Sequence, residues 1–196
     1  MAIVIVTAPT DEPVTLAEAK AHLRVDIDDD DDLIEGFVAT AREFLEVNVL
    51  RRAILTQTWD MYEDAWPESD RLDVPLPPLQ SVTWVKYTDD TGTVATLSSG
   101  NYLVDTHRAP GRIVLKSGYT WPATTLQAVN GVNVRFVCGW SAVEDVPKPI
   151  KQAILLMVGD LYENRENTLI GQGMTIKELP FAVQALLMPY RVYTWV

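Results

Sequence analysis

Hydrophobic positions at helical spacing give the first strong structural signal along the chain. Thr15, followed three residues later by Glu18, forms a capping box, a pairing that satisfies amides without a partner at a helix start. Leu16, Ala19 and Leu23 then recur on one helical face. This pattern predicts a short first helix that ends near Leu23.

A longer helical pattern extends from about Asp30 to Leu50. Its apolar stripe consists of Leu33, Ile34, Phe37, Val38, Ala41, Leu45 and Val49. The charged residues that we expect mostly on the opposite, polar face are Glu35, Arg42, Glu43 and Glu46. The aspartates of residues 26–32 predict a turn and an acidic cap, because negative charge is favoured at the positive end of the helix dipole.

From Ala53 onwards the pattern changes to the two-residue period of strands. Strands are predicted at residues 54–62, 81–88, 93–97, 102–106, 112–116 and 132–137. Asp89-Asp90-Thr91-Gly92 predicts a hairpin turn. The proline-rich segment 75–79 predicts an extended connector, since proline cannot donate to a central strand. Residues 53–145 are therefore predicted to form a small antiparallel β-sandwich or barrel.

Helical spacing returns at Pro147-Lys148-Pro149, where prolines are tolerated because first-turn amides lack intrahelical partners. The third helix is apolar on nearly every side and ends near residues 163–166. A loop then leads to a last helix at about 178–188. The sequence thus predicts an α+β fold with a core of about four helices. This helical core comprises residues 1–52 and 146–196, and the β domain, residues 53–145, is inserted between the second and third helices.

Composition narrows the class of protein. The chain has 196 residues, of which 47% are hydrophobic, so it can bury a substantial core. The apolar run 153–158 is too short to cross a bilayer, and residues 1–10 lack the basic segment of a secretion signal. We expect a protein that is made in the cytoplasm. Cys138 is the only cysteine, which predicts a buried thiol and excludes an internal disulfide.

The net charge of −11 is distributed unevenly. Residues 1–50 contain three basic and twelve acidic residues, whereas the rest of the chain contains thirteen basic and fifteen acidic residues. Firm binding of duplex DNA needs clustered lysine and arginine. The charge pattern therefore argues against specific DNA binding, although DNA could slide past an acidic surface.

No catalytic, metal or cofactor site is predicted. The aspartate run is not a calcium loop, because the sixth and twelfth residues from Asp26 are aspartate and phenylalanine instead of glycine and glutamate. His107 lies near Asp105, but the Gly-x-Ser-x-Gly motif of serine hydrolases is absent. The glycines of residues 171–173 lack the rest of a dinucleotide-binding fingerprint. We therefore expect a protein that is not an enzyme.

Six tryptophans leave two interpretations open. Those in the predicted β region are Trp59, Trp66, Trp84, Trp121 and Trp140. A carbohydrate site would use such side chains, but aromatic residues are also ordinary strand formers and core fillers. Packing within the domain or between subunits is the preferred interpretation.

The order and spacing of several segments resemble the head–tail connector (adaptor) proteins of long-tailed phages and of gene-transfer particles. The likeness covers about residues 12–190, and none of its motifs is catalytic. It rests on Pro13-Val14-Thr15-Leu16 and the residues up to Val25, the aspartate-rich turn, Gln57-Thr58-Trp59, Trp66-Pro67, Leu76-Pro77-Pro78-Leu79-Gln80-Ser81-Val82, Gly111-Arg112, Val146-Pro147 and Tyr162-Glu163-Asn164-Arg165-Glu166.

The resemblance implies a structural role in a virion, at the head–tail junction. Such proteins form a ring beneath the portal protein, extend the DNA channel and present a docking surface to a tail-side stopper or tail terminator protein. The resemblance further implies a homo-oligomeric, dodecameric ring that DNA passes through without specific binding. From the short apolar runs of the sequence we expect no membrane contact. A tail-completion or terminator protein and a glycan-binding β module of the virion are the alternatives.

Two segments are candidates for contacts with partners. The candidate residues at the chain end are Tyr190, Arg191, Tyr193 and Trp195. Chain ends are usually polar, so we expect this aromatic segment to dock on a neighbouring subunit or the portal, or else to pack on its own domain. The second candidate is the loop at residues 166–177, with Gly171 and Gly173, which we expect to become ordered on assembly.

Overall fold

The computed structural model describes residues 1–164 and 181–193, which contain four α-helices and eight β-strands. The helices are α1 (Leu16–Leu23), α2 (Asp31–Phe44), α3 (Lys148–Glu163) and α4 (Phe181–Leu187). The strands are β1 (Ala2–Thr7), β2 (Gln57–Glu63), β3 (Arg71–Val74), β4 (Leu79–Thr88), β5 (Val94–Thr96), β6 (Tyr102–Asp105), β7 (Gly111–Leu115) and β8 (Val132–Cys138). The predicted α+β class is confirmed.

The described residues divide into two compact units. The β unit comprises residues 1–10, 51–141 and 192–193 and contains the eight strands. The helical unit comprises residues 11–50, 142–164 and 181–191 and contains the four helices. Residues 1–10, which the sequence analysis assigned to the helical core, contribute strand β1 to the β unit. The domain boundaries near residues 53 and 145 stay a prediction.

Local hydrogen bonds fix the start of α1. Thr15 Oγ1 accepts from the backbone amide of Glu18 at 3.2 Å, and the Thr15 amide donates to Glu18 Oε2 at 2.8 Å. The predicted capping box is thus confirmed. The helix ends at the predicted place, where Arg24 adopts the left-handed conformation with φ 59°.

Helix α2 continues directly into a six-residue π-helical segment, Leu45–Leu50, inside the range predicted as one helix. The buried residues of its predicted apolar stripe are Ile34, Val38, Ala41 and Leu45. Leu33, at the edge of that stripe, is 37% exposed. The wider turns of a π-helix change the direction of the side chains that follow. Val47 is accordingly 60% exposed while Leu50 is buried.

The sequence analysis placed Arg42 and Glu46 on the polar face of the helix. Both are instead buried, with 5% and 6% of their surface exposed. Arg42 Nη1 donates to Glu46 Oε2 at 3.0 Å, one turn along the helix. Its Nε and Nη2 donate to the Glu12 carboxylate at 2.8 and 3.1 Å. Charged groups can be buried when they are paired and hydrogen-bonded. Glu12 precedes α1 in the sequence, so the pattern of α2 alone does not reveal this arrangement.

Helix α3 begins where the prolines predict, with Pro147 as its N-cap and Pro149 in its first turn. Its buried side chains are Ile150, Ala153, Ile154 and Val158. Near its end, the Tyr162 hydroxyl donates to Asp30 Oδ2 at 2.5 Å, which ties α3 to the start of α2. The predicted start of the last helix at 178 lies outside the described residues. Within those residues, no helix is long and apolar enough to span a membrane.

The strands form two antiparallel sheets. Five strands follow the order β1-β2-β8-β4-β5, and three follow the order β3-β7-β6. The central strand β8 places Val134 between Met61 of β2 and Val85 of β4. Because side chains alternate along a strand, every second residue of β8, from Val132 to Cys138, is buried.

Both sheets contribute to one hydrophobic core. The five-stranded sheet provides Met61, Val85, Val134 and Phe136, and the three-stranded sheet provides Leu72, Ile113 and Leu115. Cys138 is buried in this core, as predicted. Next to it, Gly139 adopts φ 100°, and a Cβ added there would lie 2.0 Å from the Leu55 carbonyl oxygen. Glycine is therefore required where the two backbone segments approach each other.

The hairpin between β4 and β5 is confirmed. Asp89 Oδ1 accepts from the amides of Thr91 and Thr93 at 2.9 and 2.8 Å, and Gly92 adopts φ 86°. These are the features expected of an aspartate and a glycine in a turn. The hydrogen bond from the Thr91 hydroxyl, and next that from the Thr93 amide, lower the pKa of the Asp89 carboxyl.

Strands β1 and β3 were not predicted. Strand β1 is apolar at successive positions, so no two-residue period is visible in it. Strand β3 has four residues and lies directly before the proline-rich segment. Each is formed through pairing with a partner distant in the sequence, β1 with β2 and β3 with β7. A pattern read along one segment does not contain that information.

Candidate interaction surfaces

The predicted contact residues of the chain end fall partly within the described residues. Tyr190 ends a 3-10 turn, Met188–Tyr190, and is half-buried. Arg191 is exposed, and Tyr193 is 63% exposed. The candidates that lie outside the described residues are Trp195, Gly171 and Gly173. A contact role for either segment stays a prediction.

Two exposed apolar side chains at the two ends of α4 were not predicted as contact residues. Phe181, the first residue of α4, is 85% exposed, and Met188, which follows the helix, is 63% exposed. The buried stripe of α4 is formed by Val183 and Leu187. Phe181 does not belong to that stripe, so the helical periodicity could have identified it as an exposed aromatic residue.

Hydrogen bonds account for much of the aspartate-rich turn before α2. Lys20 Nζ donates to Asp28 Oδ1 and to Asp31 Oδ1, each at 2.7 Å. The hydrogen bond to Asp28, and next that to Asp31, raises the pKa of Lys20. The hydrogen bond between Lys20 and Asp28 in turn lowers the pKa of Asp28. In residues 1–164 and 181–193, no group of three or more His, Cys, Asp or Glu side chains is placed to hold a metal ion. The turn therefore has a structural explanation, as the connection between α1 and α2.

The Asp105 carboxylate is bound by its neighbours in the β6–β7 connection. Its Oδ2 accepts from Arg112 Nε at 3.0 Å, and its Oδ1 accepts from the backbone amide of His107 at 3.1 Å. The Arg112 hydrogen bond, and next that amide, lower the pKa of Asp105. A general base works best with a pKa near the working pH. The pKa of Asp105 is lowered, away from neutral pH, so this carboxylate is suited to stabilising the turn.

A groove in the helical unit is lined by both acidic and apolar residues, and its volume is about 510 Å³. Its charged residues are Asp11, Glu12 and Glu35, and its valines are Val14, Val38 and Val143. Arg42 holds the Glu12 side chain in place through two hydrogen bonds. Such a groove suits a partner segment with a basic residue beside an apolar one. The sequence analysis missed it because its residues come from three separate parts of the chain.

The face of the five-stranded sheet opposite its core carries Trp84 beside two cations. Lys86 Nζ and Arg135 Cζ lie 4.3 and 4.9 Å from the Trp84 ring centroid. Arg135 also donates to both carboxylate oxygens of Asp60 at 2.8 Å, and this hydrogen bonding raises the pKa of Arg135. Phosphate binding needs clustered, available cations. Asp60 pairs with Arg135, so one of the two cations beside Trp84 already binds a carboxylate.

Trp66 and Trp121 stack on each other, with ring centroids 4.8 Å apart and planes 9° apart. Trp121 Nε1 donates to the Ser69 carbonyl oxygen at 2.7 Å. Both rings, with Trp59, pack against the hydrophobic core. Each of the two stacked rings covers one face of the other, and this arrangement agrees with the packing interpretation. Sugar binding by other tryptophans stays an alternative.

A family model of phage connectors matches part of the chain. Residues 13–78 match the family described as phage gp6-like head-tail connector proteins. This range covers α1, α2 and the first strands of the β unit beyond β1. Comparison with curated proteins gives no match.

Three solved structures share the fold, each covering 100% of this chain and 98% of its own. A chain in the neck of an empty gene transfer agent (GTA) particle, computed with C6 symmetry, has a TM-score of 0.78 at 22% identity. A chain in the virion of a native GTA particle has a TM-score of 0.79 at 20% identity. A chain in the neck of a native GTA particle, computed with C12 symmetry, has a TM-score of 0.76 at 22% identity. The resemblance to head–tail connectors is therefore confirmed: residues 13–78 match that family's model, and the whole chain has the fold of a chain from these particles.

Proposed function

We propose that this chain is a head–tail connector, a structural subunit at the head–tail junction of a tailed-phage-like particle. The observation that carries the proposal is the shared fold over 100% of this chain and 98% of a neck chain. The family match at residues 13–78 adds support of a different kind, because it rests on sequence. The role requires complementary surfaces and no chemical reaction.

The proposed assembly is a homo-oligomeric ring of twelve copies. The neck structures with this fold were computed with C6 and C12 symmetry, and a twelvefold ring is compatible with both. A ring requires a heterologous interface, in which two different patches of each subunit meet. The acidic groove of the helical unit and the Trp84 face of the β unit are examples of such dissimilar patches.

In the proposed assembly the ring lies beneath the portal protein, extends the DNA channel and receives a tail-side stopper or terminator protein. The net charge of −11 supports passage of DNA without retention, since an acidic wall repels phosphates. The pairing of Arg42 with Glu12 and of Arg135 with Asp60 supports the same conclusion, because each guanidinium already binds a carboxylate.

We further propose that the chain end contacts a neighbouring subunit or the portal. The proposed contact residues are Tyr190, Arg191, Tyr193 and Trp195, with the loop containing Gly171 and Gly173 as a second contact. The exposure of Tyr193 and of Phe181 supports this role, since both leave aromatic surface available. The competing possibility is that the chain end packs on its own unit.

Electron microscopy of intact particles tests these proposals together. We expect density for this chain as a twelvefold ring between the portal and the tail, with the chain end on a neighbouring molecule. A position on the tail side of the joint would instead identify a tail-completion or terminator protein, and an exterior position would favour the glycan-binding module. Particles without this chain should lose DNA and fail to attach tails; normal particles after its deletion would refute the connector role.

A further inference from the structure

Strand β1 is apolar on both of its faces and lies at the edge of the five-stranded sheet. The exposed fractions of Ile3, Val4, Ile5 and Val6 are 36%, 53%, 45% and 43%. Among the described residues, β1 pairs with β2 alone. Natural proteins usually protect edge strands with charges, prolines or short length, because an exposed edge can pair with another chain. The six residues Ala2–Thr7 contain no charged side chain and no proline.

The opposite edge of the same sheet is different. Strand β5, Val94–Thr96, has three residues and follows a turn that carries Asp89 and Asp90. A short edge beside acidic residues has the usual protection against pairing. Because the two edge strands of the same sheet differ in this way, the long apolar edge is specific to β1.

The register of β1 shows how a partner would meet it. Ile3 pairs with Met61, which is buried in the core, so Ile3 lies on the core side of the sheet. Val4 pairs with Asp60 and therefore lies on the opposite side. A strand added at the edge would contact apolar side chains on both sides while pairing with backbone groups.

Charge favours a second copy of this chain as the occupant. Each copy has a net charge of −11, so two copies repel each other over most of their surface. Residues 2–10 contain no ionisable side chain, and the terminal amine is paired with Glu63 at 3.2 Å. Two acidic copies can therefore approach at this uncharged segment with little local electrostatic cost. The neck chains cover 100% of this chain, so β1 lies within the fold they share.

We propose that β1 is a subunit contact, which docks by strand addition on a different surface of the neighbouring copy in the ring. The inference rests on the proposed function and deepens it by naming one patch of the heterologous interface. Strand β1, about 20 Å long at its usual rise per residue, would provide part of the area that a specific contact needs.

The substitution Val4→Glu tests the β1 contact. Self-association of the full chain is measured by sedimentation velocity over a wide range of concentrations. We expect the wild type to self-associate and the variant to associate about tenfold or more weakly, because a carboxylate would be buried without a partner. Val129→Glu is the matched control, since Val129 is in the same unit, 63% exposed and outside β1. Val4→Glu places a carboxylate opposite Asp60, so we expect it to lower the unfolding temperature slightly, whereas Val129→Glu should leave it unchanged; association is compared at a temperature where both variants are folded.

Val4→Lys separates an apolar contact from simple repulsion between acidic chains. If β1 is buried against a neighbour, lysine also weakens association; if only long-range repulsion matters, lysine strengthens it. The inference is overturned by stronger association of Val4→Lys, by equal effects of Val4→Glu and Val129→Glu, or by a wild type that stays monomeric at every concentration. In particles, tail attachment by Val4→Glu protein would refute the β1 contact alone, whereas tail attachment without any copy of the chain would refute the connector role.

Discussion

Both units bury a carboxylate, but they pair it differently: Asp60 of the β unit binds the partly exposed Arg135 on the sheet face opposite the core, whereas the helical unit buries both Glu46 and its partner Arg42. Phe136 and Ile113 belong to different sheets and are both fully buried in that core. In the helical unit, Arg42 binds Glu46 within its own helix and Glu12 from a separate segment. Packing volume should therefore contribute to stability in both units, and in the helical unit a charge pair with both partners buried should contribute as well.

The connections between elements differ in the same way. Hydrogen bonds to aspartates of the α1–α2 turn come from Lys20 and from Tyr162 of α3. In the β unit, the order of the strands is set by backbone pairing, with β8 between β2 and β4. We therefore expect the loss of charge at Arg42 to affect mainly the helical unit and the loss of volume at Phe136 to affect mainly the β unit.

The largest expected effect is that of Phe136→Ala, which tests the dependence on volume. Removing this fully buried ring should lower the free energy of unfolding by about 4 kcal/mol, since both the transfer energy and the packing are lost. Urea unfolding followed by tryptophan fluorescence measures it, because Trp59, Trp66 and Trp121 pack against the same core. Val137→Ala, at the next and half-buried position, should cost about 1 kcal/mol or less. Equal losses at the two positions would contradict a core built on alternation.

Arg42→Met tests the dependence on charge. The change leaves the buried Glu46 carboxylate without its guanidinium, so we expect a loss of about 3 kcal/mol, measured as faster hydrogen exchange of α2 amides. Glu43→Gln is the control, because Glu43 is a 70% exposed partner of the same arginine at 3.4 Å, and it should cost about 0.5 kcal/mol or less. Adding Glu46→Met to Arg42→Met should restore part of the loss. If the double variant is no more stable than the single one, the buried pair is not the cause.

The smallest expected effect is that of Glu18→Ala, which removes the acceptor of the Thr15 amide. Mainly through that backbone hydrogen bond, the pKa of Glu18 is lowered from 4.5. A carboxyl with a lowered folded pKa stabilises the protein above its ordinary pKa and loses this contribution as the pH falls. We expect the substitution to lower the free energy of unfolding by about 0.5 kcal/mol near neutral pH. This loss disappears when the pH falls below the ordinary pKa of a glutamate carboxyl. In Glu18→Gln the acceptor does not titrate. The difference in free energy of unfolding between Glu18→Gln and Glu18→Ala should therefore be the same at every pH.

The proposed contacts were unequally visible in the sequence. The aromatic chain end was recognisable because its composition is unusual for a terminus, and Tyr193 is indeed exposed. The apolar run of β1 was also visible, but nothing in it distinguishes a buried strand from an edge strand with two exposed faces. The acidic groove could not be predicted, because Glu35 and Val143 meet only after the helices have packed.

Local chemistry in the sequence was sufficient for the capping box at Thr15, the turn at Asp89 and the start of α3 after Pro147, because each depends on groups a few residues apart. The α+β class also followed from the change of hydrophobic period. The tertiary structure decided the edge position of β1 and the burial of Arg42, whose partner Glu12 is 30 residues away. Pairing between distant segments depends on where the whole chain places them, and a local pattern of polar and apolar residues carries no record of that placement.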